Sequence, residues 1–178
     1  MAQFVAISPD VEVNGETVRS VILGMGSFKP RALNILRAHG IDNPVPGFWY
    51  SQQGWLNAFR HIADEIGPNT LYQIGMKIPE SANFPPHITT VEAALAAIDV
   101  AYHMNHRGGE IGHYTFESAG PSAARILCDN PYPCEFDRGI IQAMVRRFAG
   151  SESVSVRHDE SLPCRNKDGE SCTYVVSW

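Results

Sequence analysis

The hydrophobic period of this chain changes at Gly108-Gly109. Ahead of that point apolar residues recur at helical spacing, and after it they alternate as in strands. Helices followed by strands predict an α+β class, an antiparallel sheet with helices packed on one side. The helical part is well punctuated. Pro30 opens a helix that runs to His39 and stops at Gly40. A second starts at Ser51, carries Trp55, Leu56, Phe59, Ile62 and Ile66, and ends at Gly67-Pro68. A short third runs through Leu71, Tyr72 and Met76, and residues 79–86 read as loop. Thr89-Thr90-Val91-Glu92 is a capping box for a fourth, whose apolar face is Val91, Ala94, Leu95, Ile98 and Tyr102. A fifth begins near Cys134 and ends at Gly150, between strands at 111–116, 124–127, 154–156 and 173–178.

Residues 3–24 read as a β-hairpin, with Asn14-Gly15 as its two-residue turn. The chain of 178 residues suits one domain over 1–178. Within it, 1–24 is an N-terminal β-hairpin, 25–107 the helical part, and 108–178 the strands, a helix and a cysteine site. Net charge is −5, and Arg146-Arg147 is the longest basic cluster, so a nucleic-acid partner is not expected. The N-terminus has no signal-peptide pattern, and no apolar run approaches the ~20 residues of a membrane span. A cytoplasmic location without membrane contact is the expectation. There, cysteines serve as thiols or metal ligands more often than as disulfides.

The four cysteines are Cys128, Cys134, Cys164 and Cys172. Cys164 and Cys172 form a C-x7-C pair across an Asp168-Gly169 turn. Cys134 stands at a helix start, where the positive end of the helix favours a thiolate. Three converging thiolates take zinc in tetrahedral geometry, with His158, Asp159, Glu160 or Cys128 as the fourth ligand. The competing readings are buried core thiols and disulfides pairing Cys128 with Cys134 and Cys164 with Cys172.

Pro133 through Ile141, Val154 through His158, and Cys164 through Tyr174 resemble the 4-vinyl reductase (4VR) domain. That family includes predicted hydrocarbon-binding proteins and the sensor domains of phenol- and toluene-responsive regulators. It shares its fold with the TRAPP vesicle-tethering subunits and, more distantly, with haem-based nitric-oxide sensors. The match covers roughly the last third of the chain. The resemblance implies a zinc held by Cys134, Cys164 and Cys172, with the family's glutamate position falling on or near His158. It also implies the glycine present as Gly139.

The resemblance further implies a pocket between helices and sheet for a small hydrophobic or aromatic ligand. Candidate lining residues are Trp49, Tyr50, Trp55, Phe59, Phe84, Tyr102, Tyr114 and Phe116, with His87 and His113 as polar contacts. Asp99, His103 and His106, at i, i+4 and i+7, read as a solvated helix end that also has metal-ligand spacing. No phosphate loop, nucleophile elbow or HExxH is present. The expected function is a ligand-binding sensor domain with structural zinc, homodimeric, and acting through a separate effector protein. One alternative is an enzyme or accessory protein for a hydrophobic or tetrapyrrole substrate, with Cys134 and His158 as a nucleophile pair. The other is a scaffold subunit like the TRAPP proteins.

Overall fold

Asn14 decides how the chain begins. In the computed structural model, which describes residues 3–150 and 153–178, it ends strand β1 (Glu12–Asn14) and caps helix α1 (Gly15–Val18). Its side chain accepts from the Thr17 N–H at 3.0 Å. Helix α2 (Ser20–Gly24) follows. The hairpin expected over residues 1–24 is therefore corrected: the Asn14-Gly15 signal is a helix N-cap. A Cβ on Gly15 would lie 2.0 Å from the Val45 carbonyl oxygen, so close approach demands glycine there. Val18 and Val21 are both buried at helical spacing, which overrides the apparent alternation.

The later helices follow their punctuation. Pro30 sits in the first turn of α3 (Lys29–Ala38). Strand β2 (Trp49–Ser51) leads into α4 (Gln52–Glu65), where Ser51 Oγ accepts from the Gly54 N–H at 3.2 Å. Helix α5 (Pro68–Gly75) comes next, and α6 (Ile78–Ser81) occupies part of the segment expected as loop. Helix α7 (Val91–Met104) is capped by Thr90, which accepts from the Ala93 N–H at 3.1 Å.

Two antiparallel sheets result. Strand β3 (His106–Arg107) completes a small sheet in the order β2-β1-β3. The larger sheet is formed by β4 (His113–Gly120), β5 (Ala123–Asp129), β6 (Ser155–His158) and β7 (Cys172–Ser177), with α8 (Cys134–Phe148) between β5 and β6 in the chain. Its order is β4-β5-β7-β6. The last strand inserts between β5 and β6, so Cys172 faces Cys128 and Tyr174 faces His158. The α+β class with an antiparallel sheet is thus observed.

Helix α8 crosses α5 closely. A Cβ on Gly139 would lie 2.3 Å from the Tyr72 carbonyl oxygen, and one on Gly75 2.2 Å from that of Phe136. The contact lets Trp55, Phe59, Tyr132 and Phe136 pack as one aromatic cluster, all buried. Among the described residues no helix is long and apolar enough to cross a membrane.

Candidate functional site: a thiol cluster beside an aromatic cavity

Three elements deliver the thiols. Cys134 is the first residue of α8, Cys172 the first of β7, and Cys164 lies in the loop between β6 and β7. Their sulfurs are 3.2 Å apart for Cys134–Cys172 and 3.6 Å for each pair with Cys164. His158, at the end of β6, puts Nε2 3.8 Å from Cys164 Sγ, and its ring stacks on Tyr174 at 4.4 Å. Ligand atoms of these four residues all lie within 4.8 Å of one another. The other residues weighed as fourth ligand are held elsewhere. Cys128 is fully buried on β5, Asp159 accepts from Ser161 and pairs with Arg125 at 3.6 Å, and Glu160 is exposed. All four cysteines are free thiols.

The pair closest in space does not ionise as the helix start alone predicts. Cys172 is the thiol pushed down, first because the Cys134 S–H donates to it, against burial, with His158 and Arg165 adding to the effect. That same donation, together with burial, pushes Cys134 up. The positive end of α8 is outweighed, because a fixed hydrogen bond at contact exceeds a helix-end dipole worth about 0.3–1 kcal/mol.

Arg165 ties this cluster to the interior. Its Nε and its backbone N–H each lie 3.4 Å from Cys172 Sγ. Its guanidinium also donates to the carbonyl and side-chain oxygens of Asn130 and to Asp137 on α8. Arg165 and Asp137 side chains are both 0% exposed. Burial raises the Asp137 carboxyl to about 6, and the Arg165 pair opposes that rise. The Tyr114 hydroxyl donates to the other Asp137 oxygen at 2.6 Å.

Tyr114 lines a cavity of about 30 Å³ bordered by residues of α1, α4, α6, α7, α8, β3 and β4 and by Ala82 and Phe84. Thr17, Trp55, Phe84, Tyr102, Asn105, His106, Tyr132 and Phe136 are among its walls. His106 is bonded at both ring nitrogens, Nδ1 to the Tyr102 carbonyl at 2.7 Å and Nε2 to the Tyr132 hydroxyl at 2.7 Å. Gln52 Nε2 also donates to that hydroxyl at 3.1 Å. Two lining residues carry a buried polar atom without a partner among the described residues: Trp55 Nε1 and Thr17 Oγ1.

Of the residues proposed from sequence for a ligand, Trp55, Phe84, Tyr102 and Tyr114 line this cavity. Phe59 lies behind Trp55, ring centroids 4.7 Å apart. The others lie away from the lining. Trp49 sits under the Arg107 guanidinium at 4.3 Å, the Tyr50 hydroxyl accepts from the Val45 N–H, and Phe116 packs half-buried on the core. His87 and His113 are exposed. Tyr132 escaped the sequence reading, and the solvated helix end read for His106 is corrected, since that residue is buried. His106 falls on the polar spacing of α7 but follows its C-cap Asn105, which turns it inward. Tyr132 lies in a turn, where no periodicity marks burial.

His106 gives the site a pH signature. Burial lowers its pKa from 6.5 to about 4, against the pull of the Tyr102 carbonyl. The folded chain therefore keeps it neutral while the unfolded chain protonates it, so its contribution is complete above pH 6.5 and is lost as pH falls towards 4. Asp137, raised in the fold, acts in the opposite sense and is common to both proteins compared. We expect His106→Gln to remove a loss of up to ~3 kcal/mol between these limits, measured by urea unfolding at several pH values. Parallel pH profiles for both proteins would contradict this.

No family model matches the sequence, and the curated proteins give no match. Solved structures do match. An H-NOX protein from S. oneidensis in its Fe(II)NO ligation state has a TM-score of 0.67 at 10% identity, over 92% of this chain and 98% of that one. An oxygen-binding H-NOX domain related to soluble guanylate cyclases, in its oxygen complex, has 0.64 at 14%, over 92% and 91%. A structure from work on modulating heme redox potential through protein-induced porphyrin distortion has 0.64 at 14%, over 93% and 94%. These findings correct the 4VR and TRAPP resemblance, which rested on the cysteine segments of the last third, whereas the structural match spans nearly the whole backbone. The zinc implied by that resemblance is withdrawn with it, since the matching structures are described with Fe(II) and heme. What the chain shares with these proteins is the H-NOX fold.

Proposed function

We propose that this chain is a small-molecule-sensing domain on the H-NOX fold whose interior takes a ligand other than haem. The carrying observation is an apolar, aromatic cavity lined by two residues whose buried polar atoms, Trp55 Nε1 and Thr17 Oγ1, have no partner among the described residues. A buried donor without a partner costs about 1–3 kcal/mol, which a ligand acceptor recovers. The ligand is therefore small and mainly apolar, with one acceptor for the Trp55 N–H.

Haem does not fit these residues as they are packed. The cavity measures about 30 Å³, whereas sites for molecules of drug size span about 300–1,000 Å³. His106, the histidine among the cavity-lining residues, has both ring nitrogens bonded, to the Tyr102 carbonyl and the Tyr132 hydroxyl. The fully buried rings of Trp55 and Tyr132 fill the remaining space.

The size of the cavity sets a limit that substitution can lift. Phe84, half-buried on a segment without regular structure, is the wall most easily withdrawn. Phenol, with an apolar ring and a hydroxyl that accepts, is a suitable probe. We expect Phe84→Ala to bind phenol at least tenfold more tightly than the wild type, with a saturating shift of the Trp55 indole N–H in ¹⁵N–¹H spectra. No shift of Trp55 in either protein would contradict the reading.

The same reading assigns Cys134, His158, Cys164 and Cys172 to a thiophilic metal ion that pins the β6–β7 loop to α8. Thiolates on bonds of about 2.3 Å stand about 3.8 Å apart at tetrahedral angles, close to the 3.2–3.6 Å found. Metal binding at such a site is coupled to folding. Cobalt(II) is expected to give intense tetrahedral thiolate bands that Cys164→Ser loses, with a melting temperature lower by more than about 5 °C. Unchanged bands and melting in Cys164→Ser would exclude the assignment.

A further inference from the structure

A second set of ligating side chains lies on the outer face, where α7 meets the start of β4. Asp99 and His103 stand at i, i+4 near the C-terminal end of α7, and His113 is the first residue of β4. Asp99 Oδ1 is 3.4 Å from His113 Nδ1, and Asp99 Oδ2 is 3.7 Å from His103 Nδ1. The two imidazoles face each other with centroids 5.0 Å apart and planes tilted by 30°. A ligand atom from each of the three lies within 4.8 Å of the others. First-row cations with bonds of about 2.1 Å space their ligands about 3.0 Å apart at right angles and about 3.4 Å at tetrahedral angles. The two spacings to Asp99, 3.4 and 3.7 Å, are close to these values.

Asp99 is also held in place: the Tyr114 N–H donates to its Oδ1 at 2.8 Å, the kind of outer bond that fixes the orientation of a metal ligand. His103 Nδ1 lies 2.9 Å from the Asp99 carbonyl oxygen, a contact it exchanges for the cation on ligating. The Glu110 carboxylate lies near enough to feel both histidines, and it adds negative charge on the same side. His106, which shares the helical spacing, is turned into the cavity and takes no part.

We propose that Asp99, His103 and His113 form a surface site for a divalent first-row cation with nitrogen and oxygen preference, separate from the thiol cluster. Two imidazoles and one carboxylate with open positions suit manganese(II) or iron(II), whereas thiolates select softer ions. The bound cation ties α7, which carries Tyr102 and His106, to β4, which carries Tyr114.

Manganese(II) separates this site from the thiols, because its paramagnetism broadens nearby amide signals. Titration of the full chain is expected to broaden the amides of residues 99, 103, 113 and 114 first, leaving those of 134, 164 and 172 sharp. His113→Ala, an exposed position, should weaken binding at least tenfold and leave the melting curve of the metal-free protein in place. Asp99→Ala should abolish it. Broadening that starts elsewhere, or that is unchanged in His113→Ala, overturns the proposal and leaves the three residues as ion pairs.

Discussion

Arg165 and Asp137 meet with both side chains fully removed from water, and the C-terminal half of the structure is arranged around that contact. Arg165 follows Cys164 in the loop, Asp137 lies on the first turn of α8, and neither reaches the other unless β7 is seated between β5 and β6. The pair is one part of a longer set of bonds: thiols to Arg165, Arg165 to Asp137 and Asn130, Asp137 to Tyr114. Asn130 Oδ1 also accepts from the Tyr132 N–H at 2.9 Å. Removing one partner of such a pair strands a buried charge, at a cost of about 3–5 kcal/mol. The thiol cluster and the aromatic cavity are therefore built on a shared support, and a change at Cys172 is three hydrogen bonds away from a cavity wall, through Arg165 and Asp137 to Tyr114.

The sequence was most legible where a local cause has a local effect. Ser51 and Thr90 open helices because caps satisfy first-turn backbone N–H groups, Pro30 because a first-turn position needs none, and the change of period at Gly108-Gly109 marks the start of the larger sheet. The C-x7-C pair and Cys134 were legible as a cluster because a tight turn brings both ends of the loop together. Asn14-Gly15 misled, since the same dipeptide serves a hairpin and a helix cap, and the choice depends on Val45, some thirty residues away. Arg165 carried no signal at all. It sits among polar residues of a surface-like loop and is buried only because Asp137, on another element, supplies the opposite charge. His106 and Tyr132 were hidden for a related reason: each is placed by the end of an element rather than by its period. The 4VR resemblance drew on short segments around the cysteines, and a whole-chain fold is decided by topology that such segments do not contain.

The alternatives raised by sequence fare differently. A Cys134–His158 nucleophile needs an ionised, accessible thiol, yet Cys134 is buried and its thiol is pushed up by donation to Cys172. His158 Nε2 lies 3.8 Å from the Cys164 sulfur and also acts on Cys172, so it is not dedicated to Cys134. Geometry therefore favours ligation over catalysis at the thiols. An aromatic interior with unpartnered Trp55 and Thr17 atoms serves no purpose in a subunit that acts only as scaffold, and it is this interior that favours the sensing reading.

The central claim is that an H-NOX fold here encloses a site for something other than haem. Haemin titration into the purified chain, followed by its absorption spectrum, tests it most directly. The account predicts the broad spectrum of loosely associated haemin, with no saturable sharp band and no change on His106→Gln. A stoichiometric complex with a sharp band that His106→Gln removes would contradict it, and would mean that Trp55 and Tyr132 move aside to admit the porphyrin.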